Sequence, residues 1–141
     1  MRILDVLRNK GSDVATVGPE ATVRTLLAEL AGHNVGALPV VDGGRLVGIV
    51  SERDVVRRLH ASGTELLDRR VDEIMTTSIT TCSPRDAVTD LARIMTERRF
   101  RHMPVVENDA LVGIVSIGDL VKARIDQLES EREQLQSYIA G

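Results

Sequence analysis

The stretch Pro39–Val56, PVVDGGRLVGIVSERDVV, returns at Pro104–Val121 as PVVENDALVGIVSIGDLV, with 11 of 18 positions identical at a constant offset of 65 and no gap. A duplication at this spacing implies two similar supersecondary units, each too small to bury its apolar faces alone. The 141 residues are thus expected to form two half-size units that bury their faces against each other, not one undivided core.

The pattern around the repeat predicts the elements of each unit. Ile3, Leu4 and Leu7 fall at helical spacing, and Lys10-Gly11-Ser12 ends this short lead-in helix. Val14–Val17 reads as a short strand, and Gly18-Pro19 as the start of a helix carrying the stripe Val23, Leu26, Leu27 and Leu30. The runs Ala37–Val41 and Leu46–Val50 flank Asp42-Gly43-Gly44-Arg45, whose glycines permit the positive φ angles of a hairpin. Their unbroken apolar character predicts strands covered on both faces.

Ser51 opens a second helix through Val55, Val56 and Leu59, and residues 63 to 73 read as a polar connector. The order then returns: a strand at Ile79–Cys82, a turn at Ser83-Pro84, a helix on Val88, Leu91, Ala92 and Met95, a hairpin of Met103–Val106 with Leu111–Val115, and a helix from Ser116. The expected fold is therefore α/β (α+β): two β-α-β-β-α repeats about a pseudo-twofold axis, with a short N-terminal helix and an extended C-terminal one. The corresponding boundaries are 1–66 for the lead-in and first repeat, 67–124 for the second, and 125–141 for the helical extension. Ile125, Leu128, Arg132, Leu135 and Ile139 form a 3-4 seam on that extension, suited either to its own domain or to a dimer contact.

Composition narrows the function. A net charge of −3 with only Phe100 and Tyr138 as aromatics offers neither the basic field nor the stacking platforms of a nucleic-acid binder. The single cysteine, Cys82, has no disulfide or metal-ligating cysteine partner, and His33, His60 and His102 lack metal-ligand spacing. It reads more simply as a buried strand residue than as a reactive thiolate. No apolar run reaches the ~20 residues of a spanning helix, so the expectation is a cytoplasmic protein with no membrane partner.

The repeated motif Gly-x-x-Ser-x-x-Asp, Gly48, Ser51 and Asp54 in one copy and Gly113, Ser116 and Asp119 in the other, follows a Pro-containing hairpin each time. In this it resembles the cystathionine-β-synthase (CBS) domain family, and over nearly the whole chain it is similar to the tandem pair called a Bateman module. The resemblance implies binding of an adenosine-containing ligand between the repeats: AMP first, with ATP, NAD or S-adenosylmethionine as substitutes. It also implies base contacts at Thr16, Val17, Ala37, Leu38 and Pro39 in one repeat and at Thr81, Cys82, His102, Met103 and Pro104 in the other.

Two readings of Ser51 with Asp54, and of Ser116 with Asp119, stand side by side. One is a capping box, in which Ser accepts from the backbone three residues on and the carboxylate reaches back to the Ser amide. The other gives the carboxylate the two hydroxyls of a ribose, while the helix N-terminus and the serine meet phosphate. Pro39 and Pro104 serve equally as strand residues that block pairing, and Gly48 and Gly113 as points of bending or close packing.

The copies differ between Ser and Asp. Arg53 offers a fork of donors to phosphate where Ile117-Gly118 offers a backbone amide. The second unit carries Arg98-Arg99-Phe100-Arg101-His102 before its hairpin, a phosphate-binding candidate led by Arg101 or else a helix end complementing its dipole. Lys10 is a weaker candidate. No nucleophile, base or phosphate loop assembles, so no enzyme and no required cofactor is expected. The expected role is a regulatory module whose homodimer changes shape on binding adenine nucleotide and signals to a regulated protein. The rival is a structural interaction module without a ligand; a slow nucleotide hydrolase is a distant third.

Overall fold

Proline decides how far each sheet grows. In the computed structural model, which describes residues 1–11 and 13–140, strand β1 (Ala37–Asp42) pairs antiparallel with β2 (Arg45–Ser51), Ala37 facing Ser51 and Pro39 facing Ile49. On its other side β1 meets, among the described residues, a single bridge at Val17, whose N–H donates to the Pro39 carbonyl at 3.1 Å and whose carbonyl accepts from Val41 at 3.0 Å. The next parallel rung would need an N–H on Pro39, which has none. The leading strand expected at Val14–Val17 is thus a single bridge.

The second hairpin, β3 (His102–Glu107) with β4 (Ala110–Ser116), repeats the device. Cys82 donates to the Pro104 carbonyl at 3.0 Å and accepts from Val106 at 2.8 Å, and the strand expected at Ile79–Cys82 also shrinks to one bridge.

Both hairpins turn in two residues with positive φ, Gly43 (58°) with Gly44 (83°) and Asn108 (52°) with Asp109 (63°). These residue types tolerate the left-handed region that a tight hairpin requires. β1 is buried at four successive positions, whereas β2 is buried only at Gly48 and Val50, so two-sided cover applies to the first strand of the hairpin more than to the second.

The chain divides into two compact units. One holds residues 13–80 with 108–112; the other holds 1–12, 81–107 and 113–141. The first contains α2 (Val23–His33) and α3 (Glu52–Ser62), with a core of Val17, Val23, Leu26, Leu30, Leu38, Val40, Val50 and Val55. α2 starts later than Gly18-Pro19 predicts. The carbonyls of Pro19 and Ala21 accept from Asp72 (3.0 Å) and Val71 (2.8 Å), which holds that backbone out of the helix, and Thr22 becomes the cap by accepting from the Thr25 amide.

Residues 63 to 73 are not a polar connector. They form two 3₁₀ turns, Gly63–Asp68 and Val71–Glu73, whose Leu66 and Val71 are among the most deeply buried side chains.

The other unit contains α1 (Ile3–Lys10), α4 (Val88–Arg98) and α5 (Ile117–Ala140), and buries Ile3, Val6, Cys82, Val88, Leu91, Met95, Met103, Val105, Val115 and Leu120. α1 enters this unit as the turn Val71–Glu73 enters the first. Ile3 donates to Asp86 O and Leu4 to Pro84 O, both at 2.9 Å, as Val71 does to Ala21 and Asp72 to Pro19. The Arg2 amide donates to Asp5 as the Arg70 amide does to Glu73.

The predicted stop of α1 at Lys10-Gly11-Ser12 has Lys10 as its last residue and Gly11 as its cap; Ser12 and Gly141 lie outside the described residues. Among the described residues, no helix is long and apolar enough to cross a membrane.

Candidate functional site

The N-terminus of α3 carries Ser51, Arg53 and Asp54. Ser51 is the N-cap: its hydroxyl accepts from the Asp54 amide at 3.3 Å, and the Asp54 carboxylate accepts from the Ser51 amide at 2.8 Å and its hydroxyl at 3.1 Å. The capping box expected from sequence is closed. The Glu52 amide donates to the Gly36 carbonyl (2.9 Å) and Ala37 pairs with Ser51, so the start of β1 lies against the helix start. Val17 joins them through Pro39. The unit therefore gathers Val17, Ala37, Pro39, Ser51 and Asp54 around one end of its hairpin; Val17, Ala37, Leu38 and Pro39 are buried, and Thr16 and Arg53 are exposed.

The other unit repeats the geometry at the start of α5. The Ser116 amide donates to Asp119 at 2.9 Å, the Asp119 amide donates to the Ser116 hydroxyl at 3.0 Å, and the Ile117 amide reaches the Arg101 carbonyl at 2.8 Å. Cys82, Met103 and Pro104 are buried; His102 and Ile117 are half-buried; Thr81, Arg101 and Gly118 are exposed. Arg98 closes α4 and Arg99 caps it in the left-handed region (φ 59°), so this basic stretch complements the helix dipole. Besides its amide, the Cys82 thiol donates weakly to the Pro104 carbonyl, at 3.7 Å. Burial, with Asp86 adding to it, pushes its thiol up to about 12, which removes it as a nucleophile near neutral pH.

The motif glycines are points of close approach. A Cβ on Gly48 would stand 2.5 Å from Met75 Sδ and 3.1 Å from the Thr76 carbonyl, and Thr76 in turn exchanges hydrogen bonds with Ile49. A Cβ on Gly113 would stand 2.6 Å from Leu7 Cδ2. In each unit the entering segment crosses the second hairpin strand where that strand has no side chain.

α1 is longer than its counterpart, and its last residue reaches the motif. Lys10 Nζ donates to the Asp119 carboxylate at 2.7 Å and to the Ile114 carbonyl at 2.9 Å. Asp54 has no such cation among the described residues. In the sequence Lys10 is a weaker phosphate candidate with mostly structural character, and nothing local points to its partner, which lies 109 positions away. The trace of this arrangement is a second internal repeat: Arg2-Ile3-x-Asp5-Val6-Leu7 matches Arg70-Val71-x-Glu73-Ile74-Met75 at an offset of 68 rather than 65.

Burial by itself would raise the Asp119 carboxyl. The hydrogen bond from Lys10, then the Ser116 amide, outweigh it and hold the group below its ordinary value. A carboxyl lowered on folding contributes stability that is present above its unfolded value and lost as pH falls through the folded one. Lys10→Met is therefore expected to cost about 1 kcal/mol or less at pH 7, the two side chains being 37% and 27% exposed. In urea titrations the difference from the unsubstituted chain should shrink as pH falls below the ordinary aspartate value and vanish once the folded-state carboxyl is protonated. A cost that persists unchanged in acid would show that the ion pair is not its source.

Among the described residues, no cluster of three or more His, Cys, Asp or Glu could hold a metal ion. The duplicated geometry agrees with the comparisons. The family model for the CBS domain matches residues 5–61 and 71–126. The chain is 34% identical over 148 residues to the mitochondrial CBS domain-containing protein CBSX3 of Arabidopsis thaliana, covering 99% of this chain and 72% of that protein. It is similar to the crystal structure of the CBS-domain containing protein ATU1752 from Agrobacterium tumefaciens, with TM-score 0.85 and 42% identity over 88% of this chain and 99% of that one. It shares the fold of the CBS domain pair of protein MJ0100, solved in complex with 5'-methylthioadenosine and S-adenosyl-L-methionine, with TM-score 0.75 and 24% identity over 90% of this chain and 98% of that one. Two matched domains, two hairpins and two Ser-x-x-Asp helix starts place the chain in the CBS domain family, as a tandem pair.

Proposed function

We propose that this CBS pair is a regulatory module that binds an adenine nucleotide, AMP first, with ATP, NAD or S-adenosylmethionine as substitutes, through the carboxylates of Asp54 and Asp119. The observation that carries the reading is the position of each carboxylate. Each sits half-buried at a helix start, beside the hairpin end where Ala37 pairs with Ser51 and Val17 bonds Pro39 in one unit, and where Ile117 bonds Arg101 and Cys82 bonds Pro104 in the other.

A flat base against that backbone, a ribose diol on the carboxylate and a phosphate toward Arg53 or Arg101 use the donors and acceptors each unit presents. The MJ0100 complex supports the ligand class through a shared fold. The test is thermal denaturation with each nucleotide: a rise in melting temperature supports the reading, and no rise with any adenosyl compound sinks it. The closed capping boxes favour the second reading, an interaction module without a ligand, and that module gives no rise.

A homodimer belongs to the same proposal. Along α5 the seam residues Ile125, Leu128, Leu135 and Ile139 are 50%, 48%, 62% and 82% exposed, so this face does not lie on its own unit. A second copy of the helix is the occupant that the 3-4 spacing fits, and the resulting dimer is what a regulated protein would read. Truncation after Asp126 is expected to shift sedimentation from dimer toward monomer; an unchanged sedimentation coefficient per mass would remove α5 from the interface.

A further inference from the structure

We propose that Lys10 makes the two sites unequal by occupying the Asp119 carboxylate, so that nucleotide fills the Asp54 site first and reaches the second site only by displacing the lysine. This rests on the reading above, that both carboxylates receive a ribose diol.

The two carboxylates have the same serine and backbone setting and differ in the ammonium that Asp119 has in addition. Asp54 Oδ2 accepts the Ser51 hydroxyl at 3.1 Å, which can rotate aside with little loss. Asp119 Oδ2 accepts an ammonium at 2.7 Å, a charge-assisted bond that is shorter and stronger. The ammonium is held in place twice over. It also donates to the Ile114 carbonyl, and it ends a helix whose Ile3 and Val6 are buried and whose Leu7 packs on Gly113.

A carboxylate compensated in this way is a poorer acceptor for two ribose hydroxyls, and the lysine stem stands beside it. In the other unit the matching segment is a single turn, Val71–Glu73, followed by Thr76 paired to Ile49, and it places no cation on Asp54.

The experiment is calorimetric titration of AMP into the full chain and its variants, each checked for a cooperative melt. Asp119→Asn should keep the tighter event. Asp54→Asn should leave only an event weaker by roughly tenfold, as expected where a charged donor must be displaced. Adding Lys10→Met to Asp54→Asn should recover roughly that tenfold. Lys10→Gln, which keeps a donor for the Ile114 carbonyl but no charge, should do the same and serves if the methionine variant melts early.

Equal affinities for the two single Asp variants, or no gain from either Lys10 substitution, overturn the proposal while leaving nucleotide binding intact. No heat with AMP in any variant overturns it together with the reading on which it rests.

Discussion

Leu26→Ala is expected to remove about 2–5 kcal/mol of stability, a large share of what a chain of this size possesses. Leu26 is 0% exposed on the inner stripe of α2, between Val23 and Leu30 and among the buried residues of the first unit. Truncating it takes out the branching carbon and its two methyl groups and leaves a cavity that close-packed neighbours fill only in part. The melting temperature should fall by roughly 8–15 °C.

The adjacent Leu27, 37% exposed, is the control, and Leu27→Ala should cost about 0.5 kcal/mol or less. Urea unfolding of the two variants checks the ordering. Equal losses would mean that the inner stripe of α2 has been assigned to the wrong face.

Asp54→Ala with Asp119→Ala is expected to abolish the stabilisation by nucleotide altogether. Ligand at 100 times its dissociation constant adds ~2.7 kcal/mol to a protein that binds it only when folded. With both carboxylates gone the ribose has no paired acceptor, and the gain should fall to zero. The double variant also opens two capping boxes, so its stability without ligand should drop by about 1–2 kcal/mol per helix at most. That baseline loss and the loss of ligand response are read separately in one set of melts. A response that survives both substitutions removes Asp54 and Asp119 from the site, whatever the ligand proves to be.

How much of this was legible in the sequence follows the range of the interactions. The hairpins were, because their signals are local: two apolar runs around Gly43-Gly44, then the same runs around Asn108-Asp109. So were the helices on Val23–Leu30 and Val88–Met95, and the pairing of Ser with Asp at each helix start. The leading strands were over-read, because Pro39 and Pro104 cut the ladder from the opposite strand, where no window on Val14–Val17 can see them.

The start of α2 slipped from Pro19 to Thr22 for a similar reason: the competing donors, Val71 and Asp72, lie some fifty residues on. The polar look of residues 63 to 73 concealed the pair Leu66-Leu67 and the lone Val71, apolar positions with no period to reveal them. Of the candidate site, the repeated half was readable. The unrepeated half, Lys10 on Asp119, was not, since a sequence reports spacing along the chain and this contact spans most of it.

The threading of α1 has a consequence for how the molecule is made. Residues 13–80 leave the ribosome in one run and hold nearly everything the first unit packs, so that unit can close early. α1 emerges before any of them, yet Leu7 must wait for Gly113 and Lys10 for Asp119, about a hundred residues later. Until residues 81–107 follow, an eight-residue helix has no apolar surface of its own unit to rest on, and so short a helix is unstable in water alone. α1 is thus made before the residues that hold it and becomes ordered after the first unit, and the loop closed when Lys10 meets Asp119 spans 109 positions.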